Sequence, residues 1–347
     1  MNRPKILIIY TGGTIGMIQD KNGVLQPFNF ENLLSYIPML KDFPADISSY
    51  SFETPIDSSD ADPDFWVEIV EVIEKNYDHY DGFVVLHGSD TMAYTASALS
   101  FMLENVNKPI ILTGSQLPIG LLRTDGRENM ISAIELASMQ RDGKPVIHEV
   151  CVYFESRLYR GNRTTKYSAE NFDAFRSPNY PWLAQAGIDV KVEEDKLWTS
   201  KNAPLVAHKK LCRDIAVLKY FPGIQPKTIE AIINIEGLRG LIVESYGSGN
   251  LTTNDKIIKL FEEAIDKGIT ILNITQCTVG SVVHGKYATS LKLMNCGVVS
   301  GKDMTIEAAI TKMMFLLGEN YSHDEMKRLL MQSICGEISY VTKNVIA

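Results

Sequence analysis

What the chain has little of narrows its function first. Positive charge is in deficit: 34 Lys and Arg against 42 Asp and Glu leave a formal net charge of −8, with a pI near 5.4. Gripping a phosphate backbone takes a basic face. Here the basic residues are scattered and the pair Lys209-Lys210 is too small to form one, so nucleic acid is not an expected partner. No run of roughly 18 apolar residues occurs, so no membrane span is expected. The opening MNRPKILIIY has a short apolar run and no small-residue cleavage site, unlike a secretory signal. The cysteines, Cys151, Cys212, Cys277, Cys296 and Cys335, are odd in number, widely spaced and never in a CxxC pair. That fits reduced, mostly buried thiols and a cytoplasmic location. HExxH, paired carboxylates and His or Cys pairs at ligand spacing are missing, so neither a metal nor another cofactor is expected.

What remains is an ordinary globular composition, 45% hydrophobic and 22% charged. At 347 residues the chain exceeds what one core commonly supports, which predicts two domains. Apolar, β-rich runs recur at 6–10, 82–87, 109–114 and 148–154, and between them lie helically spaced segments at 64–77, 91–103 and 129–139. Such alternation predicts βαβ units around a parallel sheet, and near-continuous apolar strands suit a sheet covered on both faces. The polar stretch 191–212 loses the pattern and reads as a linker. A second set follows: strands at 214–220, 240–245 and 269–275, helices at 255–268 and 305–318, with Gly268 and Gly318 where a helix C-cap wants glycine. The expectation is α/β throughout. Residues 1–190 form a larger Rossmann- or flavodoxin-like domain, and 213–347 a smaller α/β domain.

In open α/β sheets ligands bind outside the carboxyl ends of the strands. Those ends carry TGGTIG (11–16), DSSD (57–60), HGSDT (87–91), TGSQ (113–116) and SYGSGN (245–250). TGGT has three readings. Gly12 and Gly13 turn the chain; they cradle phosphate, for which the glycine spacing is wrong; or they let the backbone approach a small ligand, with the hydroxyls of Thr11 and Thr14 alongside. A threonine hydroxyl becomes a nucleophile only with a base beside it. Ser89 and Asp90 offer candidates, although Ser-Asp-Thr also suits a helix N-cap. Asp57, Ser58, Ser59 and Asp60 suit either a cap before Pro63 or a small polar ligand. His87 and His284 read as packed histidines.

IYTGGTIGM (9–17) and VLHGSDTMAYT (85–95) resemble the two signature segments of the bacterial-type L-asparaginases, the cytoplasmic type I group in particular. RGNRTTKYS (160–168), FDAFRSPNYP (172–181) and GVVSGKDMTIEAA (297–309) resemble further family segments, so the similarity runs along essentially the whole chain. The resemblance implies hydrolysis of the asparagine side-chain amide to aspartate and ammonia through a covalent threonine ester. It matches Thr14 to the nucleophile, and Ser89, Asp90 and Lys166 to the set that activates the nucleophile or the hydrolytic water. Asp57, Ser58 and Asp90 match positions that hold the substrate's α-amino and α-carboxyl groups, within the polar cluster that includes Ser59. Asn250 matches an asparagine that reaches the active site of a neighbouring subunit, which implies a homodimer or tetramer. For the oxyanion, the amides of Thr14 and Ser89 are the candidate donors; one such donor is worth about 3–4 kcal/mol. A lysine is a base only when neutral, a state that desolvation favours and an adjacent carboxylate opposes.

Two departures stand out. The family motif reads His-Gly-Thr-Asp-Thr, and Ser89 replaces the first threonine. The hydroxyl survives without the β-branch that stiffens χ1, which predicts a loosely held hydroxyl. Many members also carry a lid tyrosine shortly after the nucleophile, where this chain has Val24 and no tyrosine between 20 and 30. Tyr287, in VVHGKYATS, is the candidate substitute, and Gly16 and Gly23 are candidate lid hinges. The alternatives are a glutaminase-asparaginase, one methylene away in substrate, the amidase subunit of a tRNA-dependent amidotransferase, and a non-catalytic amino-acid or nucleotide sensor.

Overall fold

The computed structural model describes residues 3–19, 25–27, 37–199, 201–285, 288–319 and 321–339. The chain divides into two compact units, Met1–Ser177 with Pro181–Lys209, and Pro178–Tyr180 with Lys210–Ala347.

The first unit is built on an eight-stranded sheet. Five strands are parallel neighbours: β1 (Lys5–Gly12), β2 (Asp46–Ile56), β3 (Gly82–Leu86), β4 (Ile110–Thr113) and β5 (Val150–Phe154). Three more, β6 (Arg157–Arg160), β7 (Ala184–Ala186) and β8 (Val190–Val192), extend it antiparallel. Spatial order is β8-β7-β6-β5-β4-β3-β1-β2. The parallel part therefore runs 2-1-3-4-5, the flavodoxin-like order, whose switch point lies between β1 and β3. Ile6 to Tyr10 and all of β3 and β4 are buried, as strands covered on both faces must be. Each such aliphatic side chain contributes about 1.5–3 kcal/mol by leaving water.

Helix α1 (Pro63–Asn76) starts at Asp62, whose carboxylate accepts from the Phe65 amide, and turns Phe65, Trp66, Ile69, Val70 and Ile73 inward. Helix α2 (Met92–Met102) is apolar nearly all round and correspondingly buried, and α3 (Gly126–Ser138) covers β3 and β4. The periodicity did not announce β2. Its eleven residues bury only Phe52, because it forms the sheet edge. The stretch 191–209, polar enough to read as linker, packs with this unit. It completes the edge strand β8, and Val206–Ala207 pairs with Leu103–Glu104. Edge strands expose one side and so read as polar loop.

In the second unit a parallel sheet orders β9 (Ile215–Lys219), β10 (Gly240–Ser245), β11 (Thr270–Thr275) and β12 (Val299–Ser300). Around it lie α4 (Pro226–Ile233), α5 (Asp255–Asp266), α6 (Ala288–Asn295), α7 (Ile306–Gly318) and α8 (His323–Met331). Leu218, Ile229, Leu241, Val243, Phe261 and Ile271 centre its core. Asn254 caps α5, which buries Ile257, Ile258, Phe261 and Ala264 at helical spacing. Gly268 ends it with φ +88. Gly318 is no such cap. It sits within α7, where a side chain would meet the Lys210 carbonyl at 2.2 Å, so close approach is what it serves.

At the end of this unit Lys312 and Glu337, both fully buried, pair at 2.6 Å. Of the five free cysteines, Cys151 and Cys212 are buried and Cys277 is exposed. No helix among the described residues is long and apolar enough to cross a membrane.

Candidate active site

Strand register assembles the site. Tyr10 pairs with Leu86, so TGGT and HGSDT leave β1 and β3 side by side at the switch point. A register shift between Tyr10 and Gly12 sets Gly12 opposite Ile56, which brings DSSD to the same edge. The two glycines make this closeness possible. A side chain on Gly12 would meet the Ile56 carbonyl at 2.1 Å, and one on Gly13 would meet the Gly88 backbone at 2.4 Å. Both hold positive φ, +130 and +84. They clear space for neighbouring strand ends.

Thr14 opens a single 3-10 turn, Thr14–Gly16, partly exposed. The turn is held by the Tyr10 hydroxyl, which donates to the Gly16 carbonyl (3.2 Å); burial pushes this phenol up to about 12. The Thr14 hydroxyl has no hydrogen-bond partner among the described residues. Thr11 is buried and donates to the Leu86 carbonyl (3.0 Å), so its hydroxyl fixes strands. Lys166 arrives from the short strand Thr165–Lys166, which pairs with Phe175–Arg176. Phe175 is buried against Phe154, anchoring that ribbon. Lys166 Nζ donates to Ser89 Oγ (2.9 Å) and to Asp90 Oδ1 (2.6 Å). Neither Ser89 nor Asp90 caps α2. Its N-cap is Thr91, whose hydroxyl donates to the Ser58 carbonyl (2.6 Å).

Asp57 caps the turn Ser58–Asp60, accepting from the Ser59 amide and hydroxyl through Oδ1, both at 2.9 Å. The Ser59 amide, then its hydroxyl, hold the Asp57 carboxyl below its usual range, so it stays anionic. Ser59 thereby commits its hydrogen to Asp57. Ser58 is buried with its hydroxyl against Gly88.

Sequence reasoning missed the bracket behind Ser89. The Ser89 hydroxyl donates to Gln116 Oε1 (3.2 Å), and Gln116 Nε2 donates to the Asn171 carbonyl (3.1 Å). The Gln116 and Leu117 amides are held by the buried Asp125 carboxylate. Burial raises that carboxyl even though these amides pull it down. Ser89 is therefore tied at both ends, against the expectation of a loose hydroxyl. TGSQ stood at a strand end, the one signal that pointed to Gln116. His87 is a packed histidine, 1% exposed. Trp66 Nε1 donates to Thr95 Oγ1 (3.1 Å), Thr95 meets His87 Nε2 (2.9 Å), and His87 Nδ1 meets the Gly88 carbonyl (2.6 Å). Thr95 then donates to Nε2 and Nδ1 donates to Gly88, the neutral ring. Burial lowers its pKa to about 4.

Asn250 belongs to the second unit, where its backbone closes the loop 246–250 against Tyr246. Tyr287, Val24 and Gly23 lie outside the described residues. No group of three His, Cys, Asp or Glu among the described residues could hold a metal.

The family model described as Asparaginase, N-terminal, matches residues 5–198, and that described as Glutaminase/Asparaginase C-terminal domain matches 214–330. L-asparaginase 1 of Escherichia coli K12 is 40% identical over 98% of this chain and 99% of its own. The 60 kDa lysophospholipase of Mus musculus is 38% identical over 99% of this chain and 64% of its own. The crystal structure of L-asparaginase I from Vibrio cholerae superimposes with a TM-score of 0.89 at 38% identity, covering 98% and 100% of the two chains.

Proposed function

The chain belongs to the asparaginase family, and from that premise we propose that it hydrolyses L-asparagine to L-aspartate and ammonia through a transient ester on Thr14. The observation that carries the reading is the convergence of Lys166, Ser89 and Asp90, with Nζ–Oγ at 2.9 Å and Nζ–Oδ1 at 2.6 Å, at the edge where TGGT ends. An amide resists direct attack by water, so splitting the reaction into acylation and deacylation lowers each barrier. In the first step Thr14 Oγ bonds to the amide carbon, its proton is taken up by the Ser89–Lys166–Asp90 set with Asp90 as the final acceptor, the set returns one proton to the leaving nitrogen, and the C–N bond breaks to release ammonia. In the second, water adds to the ester, its proton passes through the same set to Thr14 Oγ as the C–O bond to Thr14 breaks, and aspartate departs.

A hydroxyl has one hydrogen and two lone pairs. Ser89 donates to Gln116 and accepts from Lys166, which leaves one lone pair for the hydrogen of Thr14 or of the water. Among the described residues the amides of Thr14 and Ser89 donate to nothing, so both remain available to a developing oxyanion. Asp57 and Asp90 supply fixed negative charge for the substrate ammonium, with Ser58 and Ser59 beside them. The protein works in the cytoplasm as a dimer or tetramer, with Asn250 completing a neighbouring copy's site; its mass in solution reads that state directly.

Ammonia release is the test, with asparagine and glutamine as parallel substrates and Thr14→Ala as control. Release from asparagine should fall by about four orders of magnitude or more in the variant, as for other lost nucleophiles. A trapped aspartyl adduct should map by peptide mass spectrometry to Thr14. Undiminished release from the variant, or an adduct on another residue, overturns the mechanism; release from glutamine alone replaces the substrate; no release from the parent favours a sensor.

A further inference from the structure

Position 89 poses a problem that the neighbouring loop answers. A threonine there would have its χ1 restrained by its own β-branch, whereas serine has three accessible staggered wells. Only one places Oγ against Lys166. The Lys166 ammonium can only donate, so the Ser89 hydrogen is free to go elsewhere, and it goes to Gln116 Oε1 at 3.2 Å. Which end of the Gln116 amide faces Ser89 is set independently. The Asn171 carbonyl can only accept, so it takes the amide nitrogen (3.1 Å) and turns the oxygen toward Ser89.

The bracket itself is firmly mounted. The Gln116 amide donates to both oxygens of Asp125 (3.1 and 2.9 Å) and the Leu117 amide to Oδ1 (3.1 Å). Asp125 also accepts from Asn129 Nδ2 (3.2 Å), which donates in addition to the Gly114 carbonyl (2.9 Å), while Asn129 Oδ1 accepts from the Glu155 amide (3.1 Å). Asp125 and Asn129 are both buried. The strand end at Gly114, the start of α3 and the loop carrying Gln116 thus form one hydrogen-bonded frame.

We propose that Gln116 is a positioning residue that holds the Ser89 hydroxyl in its working rotamer, supplying by a hydrogen bond the restraint that a β-methyl would supply by crowding. The proposal rests on the amidohydrolase reading above and deepens it. Gln116 touches neither Thr14 nor, in this role, the substrate; it acts through Ser89. Its contribution should therefore depend on which residue occupies position 89, and it should appear in turnover more than in substrate affinity.

A double-mutant cycle between the two positions tests this. Gln116→Ala should lower kcat about 10- to 100-fold, the scale of a misplaced catalytic group, with KM within about threefold and the melting temperature unchanged. In the Ser89→Thr background the same Gln116→Ala change should lower kcat less than about threefold, because the β-branch now restrains χ1. A crystal structure of Gln116→Ala should show Ser89 Oγ spread over more than one rotamer. Equal losses of kcat in both backgrounds, or a single undisturbed Ser89 rotamer in the variant, overturn the proposal. If the parent releases no ammonia at all, it is the amidohydrolase reading that fails, and the rotamer populations alone then decide the role of Gln116.

Discussion

Two lysine–carboxylate pairs, one in each unit, share a length and differ in everything around it. Lys166–Asp90 and Lys312–Glu337 both measure 2.6 Å. The second pair is 0% exposed on both sides; in the first, Lys166 is 18% and Asp90 66% exposed. A buried ion pair survives its desolvation cost only when the remaining hydrogen-bonding capacity is filled. Glu337 accepts from the Ile334 and Cys335 amides, and Lys312 donates to the Leu330 and Gln332 carbonyls. That pair fastens 332–337 to α7. Asp90 has no second partner among the described residues, and Ser89, bonded to Lys166, keeps a free lone pair. The difference teaches that capacity left over, more than distance, separates the pair proposed to serve a ligand from the one that fastens the chain.

The sharpest test crosses the two pairs with two readouts. Lys312→Met strands a buried carboxylate and should cost about 3–5 kcal/mol of stability, with ammonia release per folded molecule little changed. Adding Glu337→Leu should recover most of that loss, since two apolar side chains can replace a buried pair. Lys166→Met should do the reverse, lowering turnover about 10²- to 10⁴-fold with little change in melting temperature. Thermal melts and rates on the same samples decide it, and the comparison breaks if both variants fail in the same readout.

The two pairs were also unequally legible. Lys166 was readable because it stands in RGNRTTKYS, a segment with a family likeness, while Lys312 sits in an apolar helix and its partner lies beyond the next one. The same holds for the fold. β1, β3 and β4 announced themselves as buried apolar runs, and the residues that follow them, Thr14, Ser89 and Asp90, could be found by asking what stands at strand ends. β2 stayed hidden, because one buried Phe52 in an edge strand makes no pattern. Gln116 was marked only by its place in TGSQ at a strand end, and its bond to Ser89 and the support from Asp125 stayed hidden, because a bond between loops leaves no trace in spacing or composition. That Gly12 and Gly13 accommodate Ile56 and Gly88 depends on register, which only the folded sheet fixes.

Acid should separate the units in solution. His87, in the first, has a folded pKa of about 4 against 6.5 for the ordinary ring. Between those values the unfolded chain binds more protons than the folded one, so stability drops as pH falls from about 6.5 to about 4. The full loss is about 3 kcal/mol. Glu337, in the second, is under burial that raises its pKa, but Lys312 and the backbone amides outweigh this and hold the carboxyl below its ordinary 4.5. Its contribution is complete above that value and fades as pH drops beneath it. Urea midpoints measured against pH should therefore slope first through His87. His87→Gln should flatten the upper window and spare the lower one; an unchanged upper slope would remove the histidine from this account.

The smallest effect is the most discriminating, because it holds length fixed a third time. Arg141–Glu194 also measures 2.6 Å, with both side chains at least half exposed. In high dielectric the attraction is weak, ordering two long side chains opposes it, and salt screens what is left. Glu194→Gln should leave the melting temperature indistinguishable from the parent at physiological ionic strength. Lowering the salt should open a gap of no more than a degree or so. If the variant instead melted several degrees lower at both ionic strengths, then short distance alone would confer stability, and the contrast drawn between Lys166 and Lys312 would lose its physical basis.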